Sequence, residues 1–263
     1  MLGNTFSIAT WNVNSVRSRL PIILDFLSEF QPDVFLIQEI KCTDENFPTE
    51  DFEGYNIITH GQKSYNGVAT FTKSSSEKIS TNFPNNPIAE ESRFLETVLD
   101  TKFGFLRIIN LYVPNGGEKF SAKYYNKLKF LDSLYSYLEL IKTIDELLII
   151  GGDFNIAPYK IDVWDHHICF EQTCATLDER VKLRSILALG FADIYRLFNP
   201  NKLAFSWWNY KNKSFFKNQG MRIDFLISCM KFAEYVTECK IIEKYRKKEK
   251  TSDHAPVIVK LSI

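Results

Sequence analysis

Two mixed β-sheets packed face to face, with helices on the outside, make up the α/β fold that the sequence predicts. Three observations predict it. Apolar, strand-like runs recur from Phe6 to the C-terminus, whereas helical spacing appears in only a few stretches. So many strands with so few helices exceed what a doubly wound sheet of this length usually holds, which favours packed sheets. No stretch reads as a linker, so residues 1–263 are expected to form one domain.

The elements follow in order. Phe6 to Trp11 alternates as a strand and stops at Asn12-Val13-Asn14-Ser15. Leu20, Ile23, Leu24, Leu27 and Phe30 recur at helical spacing, which predicts a helix over Arg17 to Phe30, closed by Gln31-Pro32-Asp33. Val34 to Ile37 reads as a buried strand ending at Gln38-Glu39. Tyr55 to Thr59 and Val68 to Thr72 are strands separated by the polar loop Gly61 to Gly67. Phe94 to Leu99 and Phe105 to Val113 form a hairpin turning near Lys102 to Gly104. A second helix covers Ser121 to Ile141, and Leu147 to Ile150 is a short strand running into Gly151-Gly152-Asp153-Phe154-Asn155. Asp178 to Leu189 is a third helix, stopped by Gly190. Ala204 to Trp208 is extended, and a basic loop, Lys211 to Gly220, follows it. Ile223 to Ser228 and Val257 to Ile263 are the last strands. The segment Ile161 to Cys174 carries no landmark.

Composition excludes several classes. With 45% apolar residues and 22 Phe the chain is not disordered, and 263 residues need no disulfide or metal staple. Lys plus Arg and Asp plus Glu both number 32, so any nucleic-acid binding must come from a local basic face. Cys42, Cys169, Cys174, Cys229 and Cys239 form no CxxC pair and read as reduced thiols. Without a signal-peptide pattern or a membrane-length apolar run, a cytoplasmic location is expected.

Polar residues stand at one strand end after another: Asn12, Glu39, Asp153 with Asn155, Asp224, and Asp253-His254. Strand ends in a layered sheet lie close together, so these groups can converge on a pocket. The chemistry they fit is metal-assisted hydrolysis. A hard ion such as Mg²⁺ takes carboxylates, amides and water, and Glu39 is well placed to hold it. The Asp153-x-Asn155 pair can supply a general base and an amide donor. Asp253 beside His254 can hold the imidazole in one tautomer.

Each residue also has a bland reading. Glu39 can be a solvated strand end, Asp153 and Asn155 turn formers, and Ser252 to Pro256 an Asx-type turn. Asp224, costly inside Ile223 to Ile227, can be a structural partner of Arg222 two residues away. Five such positions together argue against accident. His60, His166 and His167 lack metal-ligand spacing, and Gly151-Gly152 matches no phosphate-cradling fingerprint. Gly116-Gly117 is a turn first and a ligand loop second.

Seven motifs carry a resemblance. Thr10-Trp11-Asn12-Val13-Asn14 with Arg17, Gln38-Glu39-Ile40-Lys41, Leu111 to Gly116, and Gly152-Asp153-Phe154-Asn155 are four of them. Trp207-Trp208-Asn209-Tyr210, Arg222-Ile223-Asp224 and Ser252-Asp253-His254-Ala255-Pro256 complete the set. Together, in order and over essentially the whole chain, they resemble the exodeoxyribonuclease III family of abasic-site endonucleases, within the endonuclease/exonuclease/phosphatase superfamily.

The resemblance implies a four-layered α/β sandwich with one cleft at an edge. It implies Glu39 as the main Mg²⁺ ligand, with Mn²⁺ as a substitute, and Asn12, Asp253, Asp153 and Asn155 near the ion. By the same likeness Asp153 orients or deprotonates the attacking water, Asn155 is the transition-state donor, and His254 contacts the scissile phosphate. Asp224 supports His254, and Tyr112 lies near the phosphate. Trp207, Met221 and Ile223 match the wall of an abasic-sugar pocket, although Met221 stands where relatives often carry Trp or Leu.

The expected partner is double-stranded DNA with abasic sites or blocked 3′ ends. Arg17, Lys63, Tyr65, Lys211, Lys213 and Lys217 are candidates for phosphate contacts. A monomer without membrane association suffices. The rival readings are a cousin that hydrolyses lipid or inositol phosphates and an inactive binding protein on the same scaffold. An inactive copy is expected to lose Glu39, Asp153 or His254, and all three are present.

Overall fold

The computed structural model describes residues 5–144 and 146–262. Its strands begin with β1 (Phe6–Asn12), β2 (Val34–Gln38), β3 (Asn56–His60), β4 (Val68–Thr72), β5 (Ser76–Ser80), β6 (Phe94–Thr101) and β7 (Gly104–Tyr112). They continue with β8 (Leu147–Asp153), β9 (Phe191–Asp193), β10 (Trp207–Trp208), β11 (Gly220–Met221), β12 (Asp224–Cys229), β13 (Val236–Ile241) and β14 (Val257–Leu261). The long helices are α1 (Val16–Phe30) and α2 (Ala122–Ile141). Between and after the later strands come α3 (His166–Cys169), α4 (Leu177–Ala188), α5 (Ile194–Phe198) and α6 (Met230–Ala233).

One sheet runs β13-β14-β1-β2-β4-β3 and the other β5-β6-β7-β8-β12-β9. Both are mixed, because β1 pairs parallel with β2 and β7 parallel with β8 while the remaining pairs are antiparallel. Period-2 alternation sorts the side chains into layers. Ile8, Val34, Leu36, Ile108, Ile149 and Leu226 meet between the sheets. Ala9, Phe35 and Ile37 point outward to Phe26 of α1. Leu148, Ile150 and Phe225 face Phe130 and Leu134 of α2 and Leu183 of α4. The result is helix, sheet, sheet, helix: the α/β sandwich of two mixed sheets that the sequence predicts.

Strands apolar on both faces stand where the sequence puts them, because they are buried on both sides. Four differences have plain reasons. The edge strands β5 and β13 carry polar residues facing water and leave no apolar alternation to read. Ala204 and Phe205 are buried, but the extended run pairs only at β10, with β11 across the Lys211 to Gly220 loop. The last strand ends at Leu261, and Ile263 lies outside the described residues. The segment without landmarks, residues 161–174, holds the short α3, whose Asp165 cap accepts from the His167 and Ile168 amides.

The two sheets approach closely near the ends of β1, β2 and β8. A Cβ on Gly151 would stand 2.5 Å from Leu36 Cδ1 and 2.9 Å from Leu226 Cδ2. The glycine pair before Asp153 is therefore a packing feature, which agrees with its lack of a phosphate fingerprint. Among the described residues no helix is long and apolar enough to cross a membrane, and all five cysteines are unpaired.

Candidate active site

Register brings the polar residues together. Tyr112 and Asp224 both stand opposite Asp153, on the strands flanking β8. Their parity matches that of Ile108, Ile149 and Leu226, so all three side chains point between the sheets. From the facing sheet Asn12, at the end of β1, and Glu39, just past β2, reach the same place. The strand ends thus open onto a pocket of about 400 Å³. Glu39, Tyr112, Asp153, Asn155, Asp253 and His254 line its polar side, and Trp207, Met221 and Ile223 its apolar side.

Asp153 is the hub. Its Oδ2 accepts from Asn12 Nδ2 at 2.9 Å and Asn155 Nδ2 at 3.2 Å, and its Oδ1 from the Asn155 amide at 2.8 Å. Burial pushes its pKa up to about 7; the nearby His254 opposes that rise and the charge of Asp224 adds to it. His254 Nδ1 lies 2.9 Å from Asp224 Oδ2, and its Nε2 lies 3.8 Å from Asp153 Oδ2. Burial pulls the imidazole down, but Asp224 and Asp153 outweigh it and raise its pKa to about 10. The ring is therefore cationic at neutral pH. Ser206 holds Asp224 as well, its hydroxyl donating to the same Oδ2 at 2.6 Å.

Glu39 occupies a left-handed backbone position, φ +56, where the chain turns sharply out of β2. Its Oε1 accepts from Asn12 Nδ2 at 2.9 Å and from the Tyr112 hydroxyl at 2.8 Å, and Lys41 Nζ lies 2.8 Å from Oε2. Burial raises its pKa, but Lys41 and Asn12 more than offset that, so Glu39 stays ionised. Tyr112 is pushed well above its usual range, by burial first and then by Glu39 and Asp153, and keeps its proton.

Two expectations change. Arg222 does not pair with Asp224: it donates to Asp162 Oδ1 at 2.7 Å and Asp193 Oδ2 at 2.6 Å, while Asp224 serves His254. The reason is that β12 begins at Asp224, so alternation along the strand does not extend back to Arg222. Asn12 turns its NH₂ to the two carboxylates, and its Oδ1 accepts from the Asn14 amide at 3.0 Å. It thereby bridges Glu39 and Asp153 as a donor to both.

Asp253 does not hold the imidazole, which Asp224 does; it accepts from Trp207 Nε1 at 2.9 Å and Asn14 Nδ2 at 3.1 Å, tying the apolar wall to the acidic side. Arg17, Lys63, Tyr65, Lys211, Lys213 and Lys217 are all exposed and lie outside the pocket lining. The sequence reading gave no role to Lys41, Asn115 or Ser206. For Lys41 a signal existed, since Gln38-Glu39-Ile40-Lys41 places a cation two residues past the acid. Asn115 and Ser206 carried none beyond a turn and a strand end.

Asp153, Asp224 and His254 bring one ligand atom each within 4.8 Å of one another, a grouping with metal-binding capacity. His254 and Asp224 are engaged with each other, so the pocket carboxylates left to hold a cation are Glu39, Asp153 and Asp253. Such a donor set, all carboxylate with no thiolate, fits a hard divalent ion.

The model of the Endonuclease/Exonuclease/phosphatase family matches residues 9–254. The chain belongs to this family. Phosphodiester hydrolysis is the chemistry that goes with it. Exodeoxyribonuclease III of Haemophilus influenzae is 35% identical over 258 residues, covering 94% of this chain and 97% of the relative. The structure of an AP endonuclease from Archaeoglobus fulgidus aligns with a TM-score of 0.91 and 34% identity, over 98% of this chain and 100% of the other. A 3′-5′ exonuclease from Neisseria meningitidis aligns at 0.93 and 30% identity, with the same coverage. These relatives place the chain in the exodeoxyribonuclease III-like branch.

Proposed function

We propose that this protein is a Mg²⁺-dependent DNA nuclease of base excision repair. It incises 5′ to abasic sites, removes 3′ blocking groups and acts as a 3′-to-5′ exonuclease on duplex DNA. One observation carries the reading: an Asp153 raised toward neutrality beside the His254–Asp224 pair and Glu39, all facing an apolar wall of Trp207, Met221 and Ile223. Named activities of the relatives, an exodeoxyribonuclease, an AP endonuclease and a 3′-5′ exonuclease, support it.

Glu39, Asp153 and Asp253 would hold the ion, which when bound neutralises charge developing on the phosphoryl and leaving oxygens. Asp153, held by the Asn12 and Asn155 amides and lining the pocket, takes the proton of the attacking water. Protonated His254, fixed by Asp224, donates from Nε2 to a phosphate oxygen, while the Asn155 amide, donating to Asp153 Oδ2 and to the Val113 carbonyl, holds the base in place. Tyr112 keeps its proton and aligns Glu39 through its hydroxyl. A sugar without a base costs less to extrude than an intact nucleotide, and Trp207, Met221 and Ile223 admit it by shape. Arg17, Lys63, Tyr65, Lys211, Lys213 and Lys217 contact the phosphate backbone and add affinity without reading sequence.

The test is cleavage of an end-labelled duplex carrying one abasic-site analogue, with Mg²⁺ and then with EDTA, beside the intact duplex. Metal-dependent incision immediately 5′ to the lesion, with affinity falling steeply as salt rises, is the expected result. Hydrolysis of a phosphorylated lipid or inositol with no cutting of DNA would contradict it.

A further inference from the structure

Lys127 of α2 and Glu179, in the first turn of α4, are fully buried and paired with each other. An ammonium has three N–H donors, and Lys127 spends all three. One goes to Glu179 Oε1, one to the Asn155 carbonyl at 2.7 Å and one to the Asn115 carbonyl at 3.1 Å. Those two carbonyls belong to different loops, one leaving β8 and one leaving β7. The side chains of the same residues meet, with Asn115 Nδ2 donating to Asn155 Oδ1 at 3.1 Å. The lysine therefore grips from behind a pair of amides that lines the pocket in front.

The surroundings are built for this grip. Asn155 stands at φ +50, a conformation that an L-residue keeps only where its environment holds it. The stem of Lys127 passes Gly116, φ +88, where a Cβ would lie 2.8 Å from the lysine Cδ, so only glycine lets it through. Glu179 is held in turn, its Oε2 accepting from the Thr176 amide at 3.0 Å and hydroxyl at 2.9 Å, its Oε1 from the Cys174 amide at 3.3 Å. A buried ion pair is weak evidence for stability, because apolar side chains of similar size often do as well. What an apolar pair cannot do is bind two backbone carbonyls at once.

We infer that Lys127 and Glu179 are positioning residues for hydrolysis: the pair fixes the Asn155 and Asn115 loops from behind and so holds the Asn155 amide where it donates to Asp153. Neither residue touches substrate. The inference rests on the proposed role of Asp153 as the group that takes the proton of the attacking water, held in place by Asn155.

The experiment compares Lys127→Met, Lys127→Met/Glu179→Gln and Asn155→Ala, with their triple combination, on the abasic duplex under single-turnover conditions. Melting temperature and duplex affinity are measured alongside. Lys127→Met strands a buried carboxylate and is expected to lower the melting temperature; the double variant, free of buried charge, recovers most of it. The cleavage rate of the double variant stays on the order of 10- to 100-fold below wild type while duplex affinity changes little. Adding Asn155→Ala to it then costs less than about threefold more, because the two changes act through the same amide.

A stable double variant cleaving at the wild-type rate, or losses that multiply with Asn155→Ala, would overturn the inference. If wild type cleaves and Asn155→Ala alone does so equally well, the assigned role of Asn155 is wrong and the inference falls with it. Should Lys127→Met not fold, the double variant carries the comparison by itself.

Discussion

Two buried ionic clusters lie two residues apart along the chain entering β12, and they are built on opposite plans. Around Arg222, two buried carboxylates, Asp162 and Asp193, face two guanidinium groups, the buried Arg222 and the partly buried Arg196. Around Asp224 the site gathers Glu39, Asp153, Asp224 and Asp253, with Lys41 paired to Glu39 and His254 to Asp224. The first cluster is balanced and closed, and it ties residues 160–163 to β9 and β12. The second carries excess negative charge and opens to solvent, which is what a site awaiting a cation and an anionic substrate requires. Strong pairing alone thus does not mark function; imbalance does.

Substitutions can break that contrast. Asp153→Asn is expected to lower the cleavage rate about 100- to 10,000-fold while leaving a folded protein, as measured by single-turnover cleavage and thermal melting. Arg222→Met should do the reverse. It strands Asp162 and Asp193 and costs about 3–5 kcal/mol of stability in a denaturant titration, with the residual folded fraction still metal-dependent. A large stability loss from Asp153→Asn, or a stable but inactive Arg222→Met, would erase the distinction.

A smaller effect sharpens it. Asp153, raised from its ordinary 3.8 to about 7, binds its proton more tightly in the folded state, so its contribution is present at low pH and lost as pH rises through 7. His254, raised from 6.5 to about 10, contributes below pH 6.5 and loses that contribution as pH rises toward 10. In EDTA the melting temperature should therefore decline between pH 6 and 9. Asp153→Asn, which removes one group and one attraction on the other, should flatten that decline. Equal slopes for both proteins would mean that the pocket charges are not strained.

Much of this was legible in the sequence, and the exceptions are instructive. Strands β1, β2, β4, β7 and β8 announced themselves through apolar runs, and Glu39, Asp153, Asn155, Asp224 and His254 through polar residues where such runs end. The edge strands β5 and β13 did not, because water on one side removes the alternation. Residues 161–174 gave no landmark because their anchor, Asp162, has its partners at Arg196 and Arg222, well down the chain. Lys127 and Glu179 were invisible for the same reason: 52 residues separate them, and only the packing of α2 beside α4 makes them one group. Spacing along one strand can be read locally, whereas partnership between elements cannot.

The most direct test of the central claim, that the unbalanced carboxylates form the cation site, is a thermal-melting titration with Mg²⁺ at pH 7.5. Wild type is compared with Glu39→Ala and with Lys211→Ala, an exposed side chain outside the pocket lining. A melting temperature that climbs with Mg²⁺ in wild type and Lys211→Ala, and stays flat in Glu39→Ala, is the predicted result. An equal rise in all three would place the ion elsewhere and contradict the account.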